Sequence, residues 1–371
     1  MRLQLSSCAL GLAVLALAVA AAPGLARAQA DDDTVATGGV RLYADDDHVT
    51  VWSPWTTGHT TVGDAVRLDA TAAVDAVTAA SIDVVSAASP RTVHELRLEG
   101  DVGAAVGYAR DRWAVVRAAL SDERDYTAAR LGVGWRGELA ERNLTLELAY
   151  TLGRDTVGRT GDPTFARARH EQRLVISATQ ILDRRGYLDV VVDLLERRGY
   201  QASPYRFVPI ATADGSSYSL PEEVPTSHLA AAALARLRRA VGEGWFVHAD
   251  YRLTLDSWAM TSHTASARVL RAMADDRHRI GLEVRGYLQG AASFYRARYT
   301  DDGGAPAWRS RDHGLGRMRA LSIGALADAG LPWPALRLTA SATWIHFAWL
   351  DDVRQSHRDA LVATLALRFT R

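Results

Sequence analysis

The sequence predicts an all-β chain that forms a transmembrane, antiparallel, up-and-down β-barrel of about 16 strands, with 14 as the alternative. Three observations predict it. An export leader opens a chain that has no later apolar run long enough for a membrane-spanning helix. Apolar and polar residues then alternate with period two over segments longer than the usual strand of about five or six residues. Finally, the links between these segments sort into a short set and a long set.

The leader comes first. Arg2 is a short positive start, Ala9 to Ala22 is an apolar run, and Ala28-Gln29-Ala30 supplies the small-x-small pattern of a signal peptide cleaved after Ala30. Residues 1–30 are therefore assigned as the signal peptide and 31–371 as one barrel domain. Cys8 is the only cysteine and leaves with the leader. The mature chain then has no disulfide, thiolate zinc site or cysteine nucleophile. The whole chain balances 43 basic and 43 acidic residues, and every basic one is arginine. Removing Arg2 and Arg27 leaves a net charge of about −2, so bulk attraction for nucleic acid is excluded. An arginine-only chain either reflects the codon bias of a GC-rich genome or favours planar, bidentate pairing with carboxylates.

The alternation is read strand by strand. In residues 245–256, Trp245, Val247, Ala249, Tyr251, Leu253 and Leu255 share one parity, and His248, Asp250, Arg252, Thr254 and Asp256 share the other. Successive strand side chains point to opposite faces, so one face is apolar and the other polar. Residues 95–108, 143–153, 279–289 and 336–344 repeat the pattern. Trp113, Trp135, Tyr150, Trp245 and Trp344 are expected on the apolar face near segment ends, where rings favour a membrane–water interface.

Short links fall at 110–111, 140–142, 183–186, 242–244 and 274–276, with a moderate one near 331–334. Longer ones fall at 154–167, 198–225, 300–314 and 350–356. Strands are expected near 36–43, 48–55, 60–75, 95–109, 112–121, 126–137, 143–153 and 170–181. Eight more follow near 187–197, 226–239, 244–257, 262–272, 277–290, 316–326, 336–347 and 357–369. His228–Val241 suits a helix equally well by propensity, but the parity of its neighbours requires a strand. Leu361, Ala363, Leu365, Leu367 and Phe369 carry the alternation to the end, where Thr370 and Arg371 follow the expected terminal aromatic.

The runs Tyr43 to Val49, Val74 to Ser81 and Ile82 to Ser89 resemble a family of uncharacterised proteobacterial outer-membrane proteins, domain-of-unknown-function family 3570. Ser203-Pro204-Tyr205-Arg206-Phe207, Asp256-Ser257-Trp258 and Ala291-Ala292-Ser293-Phe294-Tyr295 are similar to its later landmarks. The resemblance implies an outer-membrane barrel and carries no activity, substrate or catalytic residue.

Candidate site residues follow from parity. Arg97, Glu99, Asp101, Glu147, Asp189, Asp193, His248, Asp250, Arg252, Glu283 and Arg285 are expected to line the lumen, where such charges set ion selectivity. The tandem octads at 74–81 and 82–89 are expected in a connection at the mouth. There Asp75, Thr78, Asp83 and Ser86 would line a constriction, or the octads would simply lengthen the flanking strands. Asp45, Asp46, Asp47 and His48 offer oxygen and nitrogen ligands for a divalent ion, although Asp is also common in tight turns for backbone reasons. Ser262-His263 and Ser356-His357 are adjacent pairs expected to point apart, and no hydrolase or nucleotide motif is present, so the chain reads as a non-enzyme with no cofactor. The segment 198–225, with Tyr200, Tyr205, Phe207, Tyr218, Glu222 and Glu223, is either an exposed loop or a fold into the mouth.

The expected function is a porin-like passive channel for a small polar solute, in the outer membrane of a Gram-negative bacterium. A non-conducting scaffold and a lipid hydrolase are the alternatives. The expected partners are outer-membrane lipid, lipopolysaccharide and the barrel-assembly machinery.

Overall fold

The computed structural model describes residues 34–371 apart from 64, 80–92, 274–275 and 302. Long alternating segments cannot satisfy their backbone groups alone, and here each finds two neighbours. The strands are β1 (Val35–Asp45), β2 (Val49–Val62), β3 (Val66–Ala79), β4 (Val93–Ala109), β5 (Arg112–Glu123), β6 (Tyr126–Leu139) and β7 (Leu144–Val157). They continue with β8 (Arg167–Asp183), β9 (Gly186–Gly199), β10 (Phe207–Ala211), β11 (Ser217–Pro221), β12 (Ser227–Gly242) and β13 (Trp245–Asp256). The last are β14 (Thr261–Met273), β15 (His278–Gln289), β16 (Tyr299–Thr300), β17 (Met318–Gly330), β18 (Leu336–Trp349) and β19 (His357–Thr370).

All but β10, β11 and β16 form one closed antiparallel barrel of 16 strands, which β1 and β19 close. The 16-strand expectation agrees with this. Closure removes the sheet edges that would otherwise be left unpaired. Barrel strands run from 11 to 17 residues, against the 9–11 or so needed to cross a hydrocarbon layer obliquely.

Thr34 and Arg371 exchange backbone hydrogen bonds, so both described ends lie on one side, called near. Near-side links are short throughout: 110–111, 184–185 and 243–244 are two-residue turns. The long links, 200–226 and 290–317, are both on the far side. One turn differs from expectation. The polar run 56–59 lies inside β2, and the chain reverses between Val62 and Val66, where Gly63 takes φ +58. That left-handed conformation costs glycine nothing, so the turn at Gly63 outcompetes the polar run. His228–Val241 is strand, paired with both β9 and β13. Two ladders of hydrogen bonds override its helical propensity.

The outer face is an apolar belt. Val102, Leu120, Leu131, Val133, Leu282 and Ile323 all stand exposed on it. So large a contiguous apolar surface is what a lipid-facing wall presents. Tyr108, Trp135 and Trp245 mark its near edge, with Trp135 Nε1 donating to the Tyr108 hydroxyl at 2.9 Å. Toward the far edge Tyr150 donates to Gln172 at 2.6 Å, Tyr251 meets His263 at 2.7 Å, and Trp344 lies beside His346. Trp113 departs from expectation. It pairs in register with Gly107 on the inner face, with the Arg67 and Arg136 guanidiniums over its ring. Its own strand, RWAVVRAALSDE, is apolar on both parities for several residues, so alternation there is weak.

Candidate functional site

The lumen collects the polar parity of every barrel strand. Arg97, Glu99, Asp101, Glu147, Asp189, Asp193, His248, Asp250, Arg252, Glu283 and Arg285 all lie on this inner face. The acids among them do not project freely. Glu99 is bound by Arg97, and Asp101 by Arg117. Arg136 holds Glu147 at 3.1 Å, Arg236 holds Asp189 at 2.9 Å and Arg173 holds Asp193 at 2.7 Å. Asp250 and Glu283 are bound by Arg238 and Arg268. In most of these pairs the partners come from adjacent strands, so the ion pairs run around the inner wall.

Sequence reasoning missed the densest part of this network. Asp155 is fully buried and accepts from the Tyr126 hydroxyl at 2.8 Å, from Arg130, and from Arg169 Nε at 2.7 Å. Arg130 and Arg197 also bracket Glu171, Arg197 at 2.8 Å. The register of β6, β7, β8 and β9 assembles this cluster, and no local motif announces it. The signal available was parity: Arg130 and Arg136 share it on β6, as do Arg169, Glu171 and Arg173 on β8.

Two cavities lie along the inner wall. The larger, about 590 Å³, is nearer the near side and is lined by His59, Arg67, Asp69, Trp113, Arg117 and Arg136 among others. The smaller, about 250 Å³, is on the far side of it and is lined by Thr71, Arg97, Glu99, Asp101, Tyr126 and Arg130 among others. Arg117 stands between them, bound to Asp69 at 2.5 Å and to Asp101. Gly103 makes this approach feasible, because a Cβ there would lie 2.6 Å from Asp69 Oδ1.

The proposed mouth residues separate. Asp75 is on the inner face, in register with Arg97. Thr78 is three residues away on the same strand, so it faces outward, in register with Thr50. The two cannot line one constriction. Asp83 and Ser86 lie outside the described residues.

The turn acids are also accounted for. Asp45 accepts from the backbone of Asp47 and Val49 and from the Tyr43 hydroxyl, and Arg358 binds Asp47 at 2.6 Å. His48 takes φ +61 in the turn and Asp46 is exposed. Among the described residues no group of three His, Cys, Asp or Glu is placed to hold a metal ion. The hydrogen bonds of this run are those of a tight turn.

The serine–histidine pairs behave differently from each other. Ser262 and His263 point to opposite faces. Ser356 and His357 do meet, Oγ to Nδ1 at 3.0 Å, because Ser356 precedes its strand and escapes the alternation. Asp359 serves His346 at 3.0 Å, so His357 does not link Ser356 to that carboxylate.

The far mouth carries a folded cap. β10 and β11 form a hairpin from 200–226, and β16 of 290–317 joins it in parallel. Val208 and Ile210 are fully buried against Tyr299. Val224, Trp258, Ala292 and Tyr295 form a second small core. Buried Glu222 ties the two loops, accepting from Ser310 Oγ at 2.5 Å, Ser203 N at 2.6 Å and Arg206 at 3.1 Å. The Tyr205 hydroxyl reaches Asp125 in the β5–β6 turn and accepts from Thr160 N at 2.6 Å. At the other end, Arg354 donates to the Arg311 carbonyl at 2.7 Å. The cap thus links far-side connections from β5–β6 to β18–β19.

The sequence family described as "Protein of unknown function (DUF3570)" matches residues 80–331. The chain belongs to this family. No curated protein matches it. Among solved structures, this DUF3570 protein is similar to a bacterial polysaccharide outer membrane secretin, with TM-score 0.51 and 8% identity over 92% of this chain and 98% of that one. It also matches the siderophore receptor PirA from Pseudomonas aeruginosa, with TM-score 0.48 and 9% identity over 90% of this chain and 61% of the receptor. The copper transporter OprC matches with TM-score 0.45 and 11% identity, over 86% of this chain and 54% of the transporter. At these identities the likeness concerns the fold. The DUF3570 barrel shares its fold with a bacterial outer-membrane protein.

Proposed function

We propose that this protein is a porin-like passive channel for small polar solutes, exported by its leader and seated in the outer membrane of a Gram-negative bacterium. One observation carries the reading: a closed barrel, apolar outside, encloses polar cavities in line along its inner wall. Water-filled passage through such a lumen is governed by its lining charges and by any narrow point between cavities. The Arg117 bridge is that point, and the cap governs entry from the far side. The strand β19, whose last aromatic is Phe369, is the segment we assign to recognition by the barrel-assembly machinery. Solute-driven swelling of liposomes containing the purified protein tests the reading. Swelling with small sugars and small organic acids supports it; rates equal to those of protein-free liposomes oppose it.

A second reading, a non-conducting scaffold, is favoured by the same cap, whose ordered surface would suit a partner. In that case swelling is absent, and the cap resists proteolysis only when a partner is bound.

A further inference from the structure

We propose that the lumen favours small anionic solutes, and that Arg41, Arg285 and Arg368 set the preference. This rests on the channel reading above and names its solute class.

The inner wall divides into two arcs by how its charges are partnered. From β2 to β14, most arginines and carboxylates bind one another, as in the Arg130, Arg169, Arg197, Asp155 and Glu171 cluster. Only Asp75 on β3 and Glu95 at the far end of β4 are inward barrel-strand carboxylates on this arc without an ion pair among the described residues. From β15 through β17, β18 and β19 to β1 the balance differs. Arg279, Arg285, Arg368 and Arg41 lie on the inner face here. Among the described residues none of the four has a hydrogen bond, ion pair or ring contact. Glu283, the nearest acid on β15, is already held by Arg268 of β14.

The register places hydroxyls beside the two deeper cations. Arg41 lies between Ser53 on β2 and Thr364 on β19. Arg285 lies between Ser266 on β14 and Ser322 on β17. A guanidinium flanked by two hydroxyls offers several donors to an anion that sheds part of its water. At the near mouth, Arg337 and Arg368 face each other in register, Arg279 faces Asp328, and Asp328 is bound by Arg337. Three arginines there share one carboxylate, so the near entrance carries an excess of positive charge. A charge that protein does not neutralise, set in a lumen with low-dielectric walls, raises the local concentration of counter-ions. The path along this arc therefore concentrates anions, whereas the paired arc presents little net charge.

The test is the reversal potential of the purified protein in a planar bilayer under a potassium chloride gradient. The wild type should pass chloride in preference to potassium. The triple variant Arg41→Gln, Arg285→Gln, Arg368→Gln should lower the chloride-to-potassium permeability ratio several-fold. Arg154→Gln, on the outer face, should leave the ratio unchanged. Arg41→Gln and Arg285→Gln alone should each shift it in the same direction, which serves if the triple variant does not fold. A wild type that prefers potassium overturns the inference and leaves the channel reading standing, as does a ratio unmoved by every one of these lumen variants. A folded wild type with no conductance overturns the channel reading and the inference together.

Discussion

The Arg117 guanidinium on β5 reaches past β4 to the Asp69 carboxylate on β3, with Nη2 2.5 Å from Oδ2, and the absent side chain of Gly103 leaves the room. This bond, with its companion to Asp101, separates the two lumen cavities. Arg117→Ala should join them and raise the single-channel conductance. Gly103→Ala should push Asp69 away from Arg117 and destabilise the barrel by about 1–3 kcal/mol, the usual cost of overpacking. Conductance steps and urea unfolding midpoints in detergent check the two outcomes. An unchanged conductance in Arg117→Ala would show that the narrow point lies elsewhere.

Asp155 is the most enclosed charge of the network, and three side chains donate to it. Asp155→Ala leaves Arg130 and Arg169 without their shared acceptor. Breaking a buried ion pair by removing one partner typically costs about 3–5 kcal/mol, and that loss is expected here. The exposed pair Arg198–Glu196 on the outer face should cost at most about 1 kcal/mol when broken. Equilibrium unfolding of both variants in lipid vesicles measures the contrast.

The apolar belt predicts a depth-dependent response to charge. Leu282 projects from the middle of β15 and is 67% exposed, so Leu282→Arg should destabilise the inserted barrel by about 2–4 kcal/mol. Val241, at the near rim, should tolerate arginine at about 0–1 kcal/mol. Equal effects at both positions would contradict a lipid-facing belt.

The cap should respond to acid and to strong base. The Tyr218 hydroxyl, then the Gly304 amide, hold the Asp301 carboxyl below its ordinary value, and Arg317 does the same for Asp351. At the β10–β11 tip, the Thr212 hydroxyl and the Ser216 amide and hydroxyl bring Asp214 down to about 2. A carboxyl depressed in the folded state stabilises it above the ordinary value of about 4, and that contribution is lost as pH falls through the depressed value. Burial, then Asp125, raises the Tyr205 hydroxyl, so its contribution is full below about pH 10 and is lost as pH rises through the raised value. Amide hydrogen exchange in β10 and β11, corrected for intrinsic rates, should be flat near neutrality and quicken below about pH 4 and above about pH 10. Loosening of the cap near neutral pH would contradict this assignment.

Much of the barrel was legible in the sequence because strand side chains alternate strictly. That rule placed Asp250, Arg252, Glu283 and Arg285 inward from their spacing alone. It failed where the chain gives no alternating contrast, as around Trp113, or leaves the strand, as at Ser356. It also separates Thr78 from Asp75, since three residues along a strand change the face. The ion-pair partners were illegible for another reason. Arg117 meets Asp69 from 48 residues away and Ser310 meets Glu222 from 88, and such pairings depend on register and loop packing that no local pattern encodes. The hairpin of β10 and β11 was hidden likewise, because its two strands are short and join β16 only through tertiary contact.

Planar-bilayer recording of the purified, refolded protein tests the channel most directly. A channel gives reproducible unitary conductance steps, enlarged by Arg117→Ala. A barrel that shows the heat-modifiable mobility of a folded outer-membrane protein, yet gives no steps while a reference porin conducts alongside, would contradict it.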